Sequence, residues 1–177
     1  MDVCIRTFTE ADRASVVSLW HECGLVHPQN DPDRDIDRKL AHGTDYFLVA
    51  TAGDEIVGSA MGGYEGHRGW VNYVAVSPAW QRQGVGRRIM DELERRLRLV
   101  GCAKVNLQIR SSNSEVMEFY RRLGFVQDAV VCMGRRLVDD AQAEPPPNAE
   151  SAPDAERDAC CEPPTADRLL AENPTPR

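Results

Sequence analysis

The chain has 177 residues, a length suited to one domain with an appendage, and its formal charge of −7 arises wholly in its last part. Residues 1–138 carry 18 Lys and Arg against 18 Asp and Glu, whereas residues 139–177 carry 3 Arg against 10 acidic residues. A neutral folded part gives no general reason to expect a nucleic-acid partner, and no apolar run approaches the ~18 residues of a membrane span. The first residues, with Asp2, Arg6, Glu10, Asp12 and Arg13, lack a signal-peptide core, so a cytoplasmic location is expected. Six cysteines show no C-x-x-C pair and no His at ligand spacing, which predicts reduced thiols and no metal site.

In chain order, Val3 to Phe8 reads as a strand, ending at Thr9, a helix N-cap with Asp12 three residues on. Val16, Leu19, Trp20 and Cys23 recur at helical spacing until Gly24, and Asp31-Pro32 opens a second helix through Leu40. Tyr46–Thr51 and Glu55–Tyr64 flank a turn and read as a hairpin, and Trp70–Ser77 is a further strand stopped by Pro78. Gly84–Val100 is the strongest helix, with Val85, Ile89, Leu93 and Leu97 on one face. Lys104–Arg110 returns as a strand, Asn113–Leu123 is a helix closed by Gly124, and Phe125–Gln127 with Ala129–Leu137 form a closing strand pair. The pattern is an α/β (α+β) domain over residues 1–138 with helices on the faces of a sheet. Residues 139–177 hold eight of the eleven prolines and only Leu169 and Leu170 as large aliphatics, so an acidic, Pro-rich, disordered tail is expected.

The stretch that carries chemistry is Val74-Ala75-Val76-Ser77-Pro78-Ala79-Trp80-Gln81-Arg82-Gln83-Gly84-Val85-Gly86-Arg87. A strand ends, a loop turns, and two glycines open a long helix whose first turn has unpaired N–H donors and the positive end of the dipole. That combination suits a phosphate, with Arg82, Arg87 and Arg88 adding charge. Gly86 is followed by Arg87-Arg88 instead of Lys-Ser/Thr, and Ile89 stands where a dinucleotide fingerprint needs glycine, so both nucleotide motifs fail. A turn serving only tight packing explains the two glycines equally well.

With Val74-Ala75-Val76, the Q-x-x-G-x-G run from Gln81 to Gly86, and the later Asn113, Phe119-Tyr120 and Gly124-Phe125, the chain resembles the GCN5-related N-acetyltransferase (GNAT) superfamily. The local wording is similar to bacterial ribosomal-protein alanine N-acetyltransferases, with a looser likeness to small bacterial members. The resemblance implies a mixed, mostly antiparallel sheet flanked by helices, with acetyl-CoA as cosubstrate where two adjacent parallel strands splay. It implies that Val74, Ala75 and Val76 hold the pantetheine arm and thioester. Arg82, Gln83, Gly84, Val85, Gly86 and Arg87 would cradle the pyrophosphate, and Asn113 would also contact CoA.

The same resemblance makes Tyr120 the acid that protonates the departing thiolate, which fits a phenol of pKa ~10 facing a thiol of ~8.5. Tyr120 also shares a face with Val116 and Leu123, and so packs as well. The position that carries a Glu base in the alanine acetyltransferases is Gln108, which cannot ionise usefully. Glu65 becomes the candidate base, with His67, a water relay or an already neutral amine as alternatives. Asp31, Asp33, Asp35 and Asp37 read as a solvated, dipole-favourable helix start that could also admit a cationic amine. The expected activity is transfer of an acetyl group from acetyl-CoA to a primary amine, with a protein N-terminus or Lys side chain favoured. A small-molecule amine, or a non-catalytic acyl-CoA-binding role, is the alternative.

Overall fold

The structure, a computed structural model, describes residues 2–138 and Asp140. The expected disordered tail, 139–177, otherwise lies outside the described residues. Five strands form one sheet in the order β1-β2-β3-β4-β5: β1 (Val3–Thr7), β2 (Phe47–Ala52), β3 (Glu55–Tyr64), β4 (Gly69–Val76) and β5 (Val105–Leu107). The first four are antiparallel neighbours and β5 runs parallel to β4, which is the mixed, mostly antiparallel sheet expected.

Strand periodicity divides the core in two. In β2, Leu48, Ala50 and Ala52 enter one cluster, shared with α3 (Val85–Leu99) and with Tyr120 of α4 (Ser114–Arg122). Phe47 and Val49 enter the other, with Val16, Leu19 and Trp20 of α1 (Arg13–Glu22) and Ile36 of α2 (Pro32–Ala41). Asp31 caps α2 by accepting from the N–H groups of Asp33 and Arg34, and Pro32 fills its first position, as the sequence predicts. Among the described residues, no helix is long and apolar enough to cross a membrane.

Helix α3 lies on the sheet because glycines face it. A Cβ on Gly58 would stand 2.8 Å from Ile89 Cδ1, one on Gly62 2.7 Å from Leu93 Cδ1, and one on Gly69 3.0 Å from Leu97 Cδ1. Ile89, Leu93 and Leu97 are one i, i+4, i+8 row, so each knob enters the space of one missing side chain. The axis of α3 is thereby fixed, and with it the position of its first turn.

Two expectations at the C-terminal side are corrected. The strand predicted over Lys104–Arg110 forms ladder pairs only at Val105–Leu107. The closing pair over Phe125–Gln127 and Ala129–Leu137 is not strand, and Val126, Val130, Val131, Met133 and Leu137 are exposed. A three-residue β5 offers too short a ladder to recruit a neighbour. The adjacent Val130-Val131 and the interior Gly134 also spoil the alternation a half-buried strand needs.

Where β1 meets α1, the Arg6 guanidinium grips Asp12 in a fork of 2.6 and 2.7 Å, while Asp12 accepts from the Thr9 N–H at 2.8 Å. Arg6, followed by the Thr9 bonds, holds the Asp12 carboxyl at about 2, below its ordinary 3.8. A depressed carboxyl adds stability that is present above the unfolded value and lost as pH falls through the folded one, here on the order of 2 kcal/mol. Asp12→Asn is therefore expected to lower the melting temperature at pH 7 and to flatten its fall between pH 4 and 2. A parallel acid limb in wild type and variant refutes the assignment. Gly62→Ala is expected to cost about 1–3 kcal/mol in urea denaturation, because its methyl also meets the Tyr46 carbonyl at 3.0 Å. An unchanged denaturation midpoint would show that α3 is free to shift.

Candidate active site

Strand β4 has two neighbours for only part of its length. It pairs with β5 from Gly69 to Val71, opposite Val105 to Leu107, and then the two strands part. On its other side it stays with β3, but the register jumps from Met61↔Asn72 to Ser59↔Ala75, so Tyr73 and Val74 together oppose Ala60 alone. This is a β-bulge, and Tyr73 adopts φ 50°, a left-handed conformation uncommon for a side-chain-bearing residue. The Ser77 N–H bonds the Val57 carbonyl on β3. Backbone groups alternate sides along a strand, so those of Val74 and Val76 face the gap left by β5. The Val76 carbonyl receives the Cys23 thiol at 3.4 Å and the Gln81 amide at 3.0 Å in place of a strand partner.

The loop after β4 folds onto itself before α3 begins. Trp80 N–H bonds the Ser77 carbonyl, and the Gln83 amide bonds Ala79 at 2.8 Å. Arg82 (φ 61°) and Gly84 (φ 83°) are both left-handed, on either side of Gln83. Alternation of that kind turns successive N–H groups inward, as in an anion-binding nest. The first α-helical bond runs from Arg88 N–H to the Gly84 carbonyl, which leaves the N–H groups of Val85, Gly86 and Arg87 outside the ladder. The arrangement can hold an anion. Its arginines divide: Arg87 donates to the Arg122 carbonyl at 3.1 Å, while Arg88 turns to the Val3 carbonyl on β1, away from the loop.

The two glycines have different work. A Cβ on Gly84 would meet nothing within 4 Å, so only its backbone conformation demands glycine. A Cβ on Gly86 would stand 3.1 Å from Phe119 and 3.5 Å from Val76. Gly86 thus lets α3, α4 and the end of β4 converge, which is the packing role that the two glycines allow beside a phosphate contact.

Helix α4 is anchored at both ends. Asn113 accepts from the Val116 N–H at 3.1 Å as its N-cap. At the other end Gly124 N–H bonds Arg121 and Phe125 N–H bonds the Tyr120 carbonyl, with Gly124 left-handed (φ 92°). That turn folds Phe125 back so that Tyr120 lies edge-on to both Phe119 and Phe125, with ring centroids 5.0 and 5.4 Å away. Tyr120 is buried in the cluster that Val74, Val76, Leu107 and Ile109 line, which places it with both strands flanking the gap. Burial pushes its phenol up to about 12, so it stays protonated.

Glu65 is elsewhere. It occupies the turn before Gly69, at the end where β4 and β5 are still paired, about five strand residues or ~16 Å from Val74. Its exposed carboxylate accepts from the N–H groups of His67 at 2.7 Å and Arg68 at 2.9 Å. Those bonds, the one to His67 foremost, hold it below the usual carboxylate range. Glu65, the candidate base, is thus built as a turn clasp, and its bonds lower its basicity. Gln108 lies just past β5, exposed, with its amide on the Cys132 sulfur at 2.7 Å. Two groups beside the gap escape a reading of the sequence: Cys23, on the Val76 carbonyl, and Tyr73. The bulge that singles out Tyr73 leaves no mark in an apolar strand run.

Comparison with known proteins agrees with this architecture. Residues 13–125 match the family described as Acetyltransferase (GNAT) family. An acetyltransferase of Sodalis glossinidius (strain morsitans) is 43% identical over 139 residues, 78% of this chain and 98% of that protein. Among solved structures, Ard1 from Thermoplasma volcanium superposes with a TM-score of 0.64 at 26% identity, covering 73% of this chain and 86% of that one. AAC(6')-Iy in complex with the bisubstrate analogue CoA-S-monomethyl-acetylneamine gives 0.64 at 18% identity, over 77% and 99%. The parted β4 and β5, the anion-ready start of α3 and the sequence match have one reading: the chain belongs to the GNAT family of acetyltransferases and is an acyltransferase.

Proposed function

We propose that this acyltransferase moves an acetyl group from acetyl-CoA to a primary amine, with a protein N-terminus or a Lys side chain as the favoured acceptor. The observation that carries the reading is the meeting of three features: the edge of β4 at Val74 and Val76 that β5 leaves without a strand partner, the N–H groups from Val85 to Arg87 outside the helical ladder, and buried Tyr120. In this reading the pyrophosphate rests on Arg82, Gln83, Gly84, Val85, Gly86 and Arg87. The pantetheine arm runs along Val74, Ala75 and Val76 like a missing strand, bonding the backbone groups that β5 leaves open. Asn113, committed through its Oδ1 to Val116, has its amide N–H₂ left for CoA. That one structural neighbour is a complex with a CoA-linked bisubstrate analogue supports the cosubstrate.

The chemistry is a direct displacement. The amine nitrogen attacks the thioester carbon, the Val74 N–H supports the developing oxyanion, and the C–S bond breaks as Tyr120 gives its proton to sulfur. An ammonium acceptor loses two protons in all; one restores the Tyr120 phenol and the other goes to solvent. With Glu65 tied into its turn and Gln108 unable to ionise, the proton bound for solvent leaves through water or before binding, and the one still on nitrogen after attack is the one that restores Tyr120. A small-molecule amine is the second reading, supported by the acetylneamine analogue bound to the AAC(6')-Iy neighbour.

Purified protein with acetyl-CoA and an amine panel is expected to release thiol with at least one acceptor. The panel comprises a peptide with free N-terminal Ala, an N-acetylated peptide with one Lys, and spermidine. Tyr120→Phe should lower kcat about 10²-fold or more with CoA affinity nearly intact; an unaffected kcat makes Tyr120 a packing residue. A Cβ at Gly84 meets nothing, so Gly84→Val acts by opposing the left-handed turn that aims the N–H groups. CoA affinity measured by calorimetry is expected to fall at least tenfold, about 1.4 kcal/mol, with the domain still folded. Unaltered affinity would remove the phosphate assignment.

A further inference from the structure

Tyr73 is held more firmly than a packing residue requires. Its ring stacks on Trp20 at 4.0 Å with 18° between planes. The Trp20 indole donates to Ser59 Oγ at 2.8 Å, and Ser59 Oγ donates to the Tyr73 carbonyl at 3.2 Å. Its hydroxyl donates to Asp35 Oδ2 at 2.6 Å, while Arg38 donates to the other oxygen, Oδ1, at 3.0 Å. Asn30 also hydrogen-bonds the phenol. Ring, carbonyl and hydroxyl are each tied to a different element, and together they sustain the φ of 50°. A left-handed, side-chain-bearing residue kept in place by so many partners is a feature to be explained by function.

Its location supplies the explanation. Tyr73 stands two residues beyond Val71, the last residue of β4 paired with β5, and therefore at the apex of the gap. Its side chain belongs to the cluster of α1 and α2, whereas Val74, Val76 and Tyr120 pack on the face of α3. Since α3 supplies the anion-binding turn, a thioester reaching into the gap comes from the α3 face. The attacking nucleophile must then approach from the face where Tyr73 lies.

We propose that Tyr73 binds the acceptor amine and that Asp35, acting through it, selects a cationic amine over a neutral nucleophile. A phenol has one donor and two acceptor sites. With its O–H committed to Asp35, the Tyr73 oxygen presents a lone pair to an N–H of the incoming amine, polarised by the carboxylate behind it. Asp35 is the positioning residue: it fixes the direction of the phenol hydrogen and hence of the lone pairs, of which Asn30 engages one and the other is left for the amine. This rests on the proposed reading of the gap as the thioester site.

The test compares wild type with Tyr73→Phe, Asp35→Asn and Asp35→Glu, using the amine of the panel that wild type acetylates best. Tyr73→Phe and Asp35→Asn are expected to raise the amine KM at least tenfold, with kcat altered less than threefold. Calorimetric affinity for CoA should stay within twofold of wild type, and Asp35→Glu should recover part of the KM. An unchanged amine KM in both Tyr73→Phe and Asp35→Asn overturns the proposal, as does a loss of CoA affinity in step with the KM, which marks a purely structural bond. If Tyr73→Phe does not fold, Asp35→Asn, which leaves the Trp20 stack in place, decides alone. Wild type that binds CoA but acetylates no amine of the panel refutes the underlying amine-transfer reading, and this inference with it. Turnover with an unmoved KM refutes this inference alone.

Discussion

Strand β4 cannot satisfy its backbone on both sides, and most of the molecule is arranged around that fact. From Gly69 to Val71 it is an interior strand. From Asn72 onward it has β3 on one side and, among the described residues, no strand on the other, although Val74 and Val76 still carry N–H and C=O groups there. Unpaired buried backbone is costly, on the order of 1–3 kcal/mol for each group left without a partner. The chain answers only partly, with Cys23 and Gln81 both directed at the Val76 carbonyl. A ladder continued by residues 108–110 would close the gap and leave an ordinary sheet. Instead Gln108 turns to Cys132 and Arg110 to His27.

What fills the two faces follows from where β4 parts from β5. On one face the glycines at 58, 62 and 69 let α3 lie so close that its first turn arrives at the end of β4. There Gly86 admits Phe119, and Phe119 brings Tyr120. Removing any of these glycines would move the start of α3 away from the strand edge it serves. On the other face α1 and α2 carry the polar network that holds the bulge: Trp20 to Ser59, Ser59 to Tyr73, Tyr73 to Asp35. The bulge therefore has a packed helix on each side, and its unusual backbone is supported by contacts from both cores.

Much of this was legible in the sequence, for reasons that can be named. Asp31-Pro32 is a local signal with a local cause, and the cap forms where it predicts. The apolar row Val85, Ile89, Leu93, Leu97 has one periodicity and one outcome. The glycine-led helix start after Val76 was recognisable because its chemistry needs backbone in special conformations, which constrains residue identity. The rest failed where non-local pairing decides. Lys104–Arg110 alternates apolar and polar residues as a strand does, but whether a residue joins a ladder depends on its neighbour, and β4 leaves after Val71. Ala129–Leu137 had apolar residues without an edge long enough to receive them. Glu65 is a candidate base in the sequence by elimination and by its place just ahead of the β4 strand. Only the register of β4 and β5 reveals that its turn lies at the closed end of the gap. Tyr73 reads as one more strand aromatic, because a bulge is a property of two strands and not of one.

The protonation states bear on which acceptor suits the proposed reaction. Burial keeps Tyr120 protonated, and burial together with Asp35 keeps Tyr73 protonated well above its ordinary value. Both phenols at the gap therefore stay protonated, and neither takes a proton from nitrogen at neutral pH. Glu65, lowered by its own turn, is a weaker base than a free carboxylate, and Gln108 is none. In the proposed reaction, in which Tyr120 would supply a proton to sulfur and little is at hand to remove one from nitrogen, an acceptor that is already partly neutral is favoured. At pH 7 an α-amine of pKa ~8 is about one-tenth neutral, while a Lys ε-amine of ~10.4 is neutral in only about 0.04% of molecules. The difference, roughly 250-fold in reactive nucleophile, favours a chain N-terminus over a lysine side chain within the proposed substrate class. It also gives Asp35 a consistent part, since a carboxylate behind the Tyr73 phenol attracts the cationic majority of the amine to the gap, and attack then proceeds from its neutral fraction.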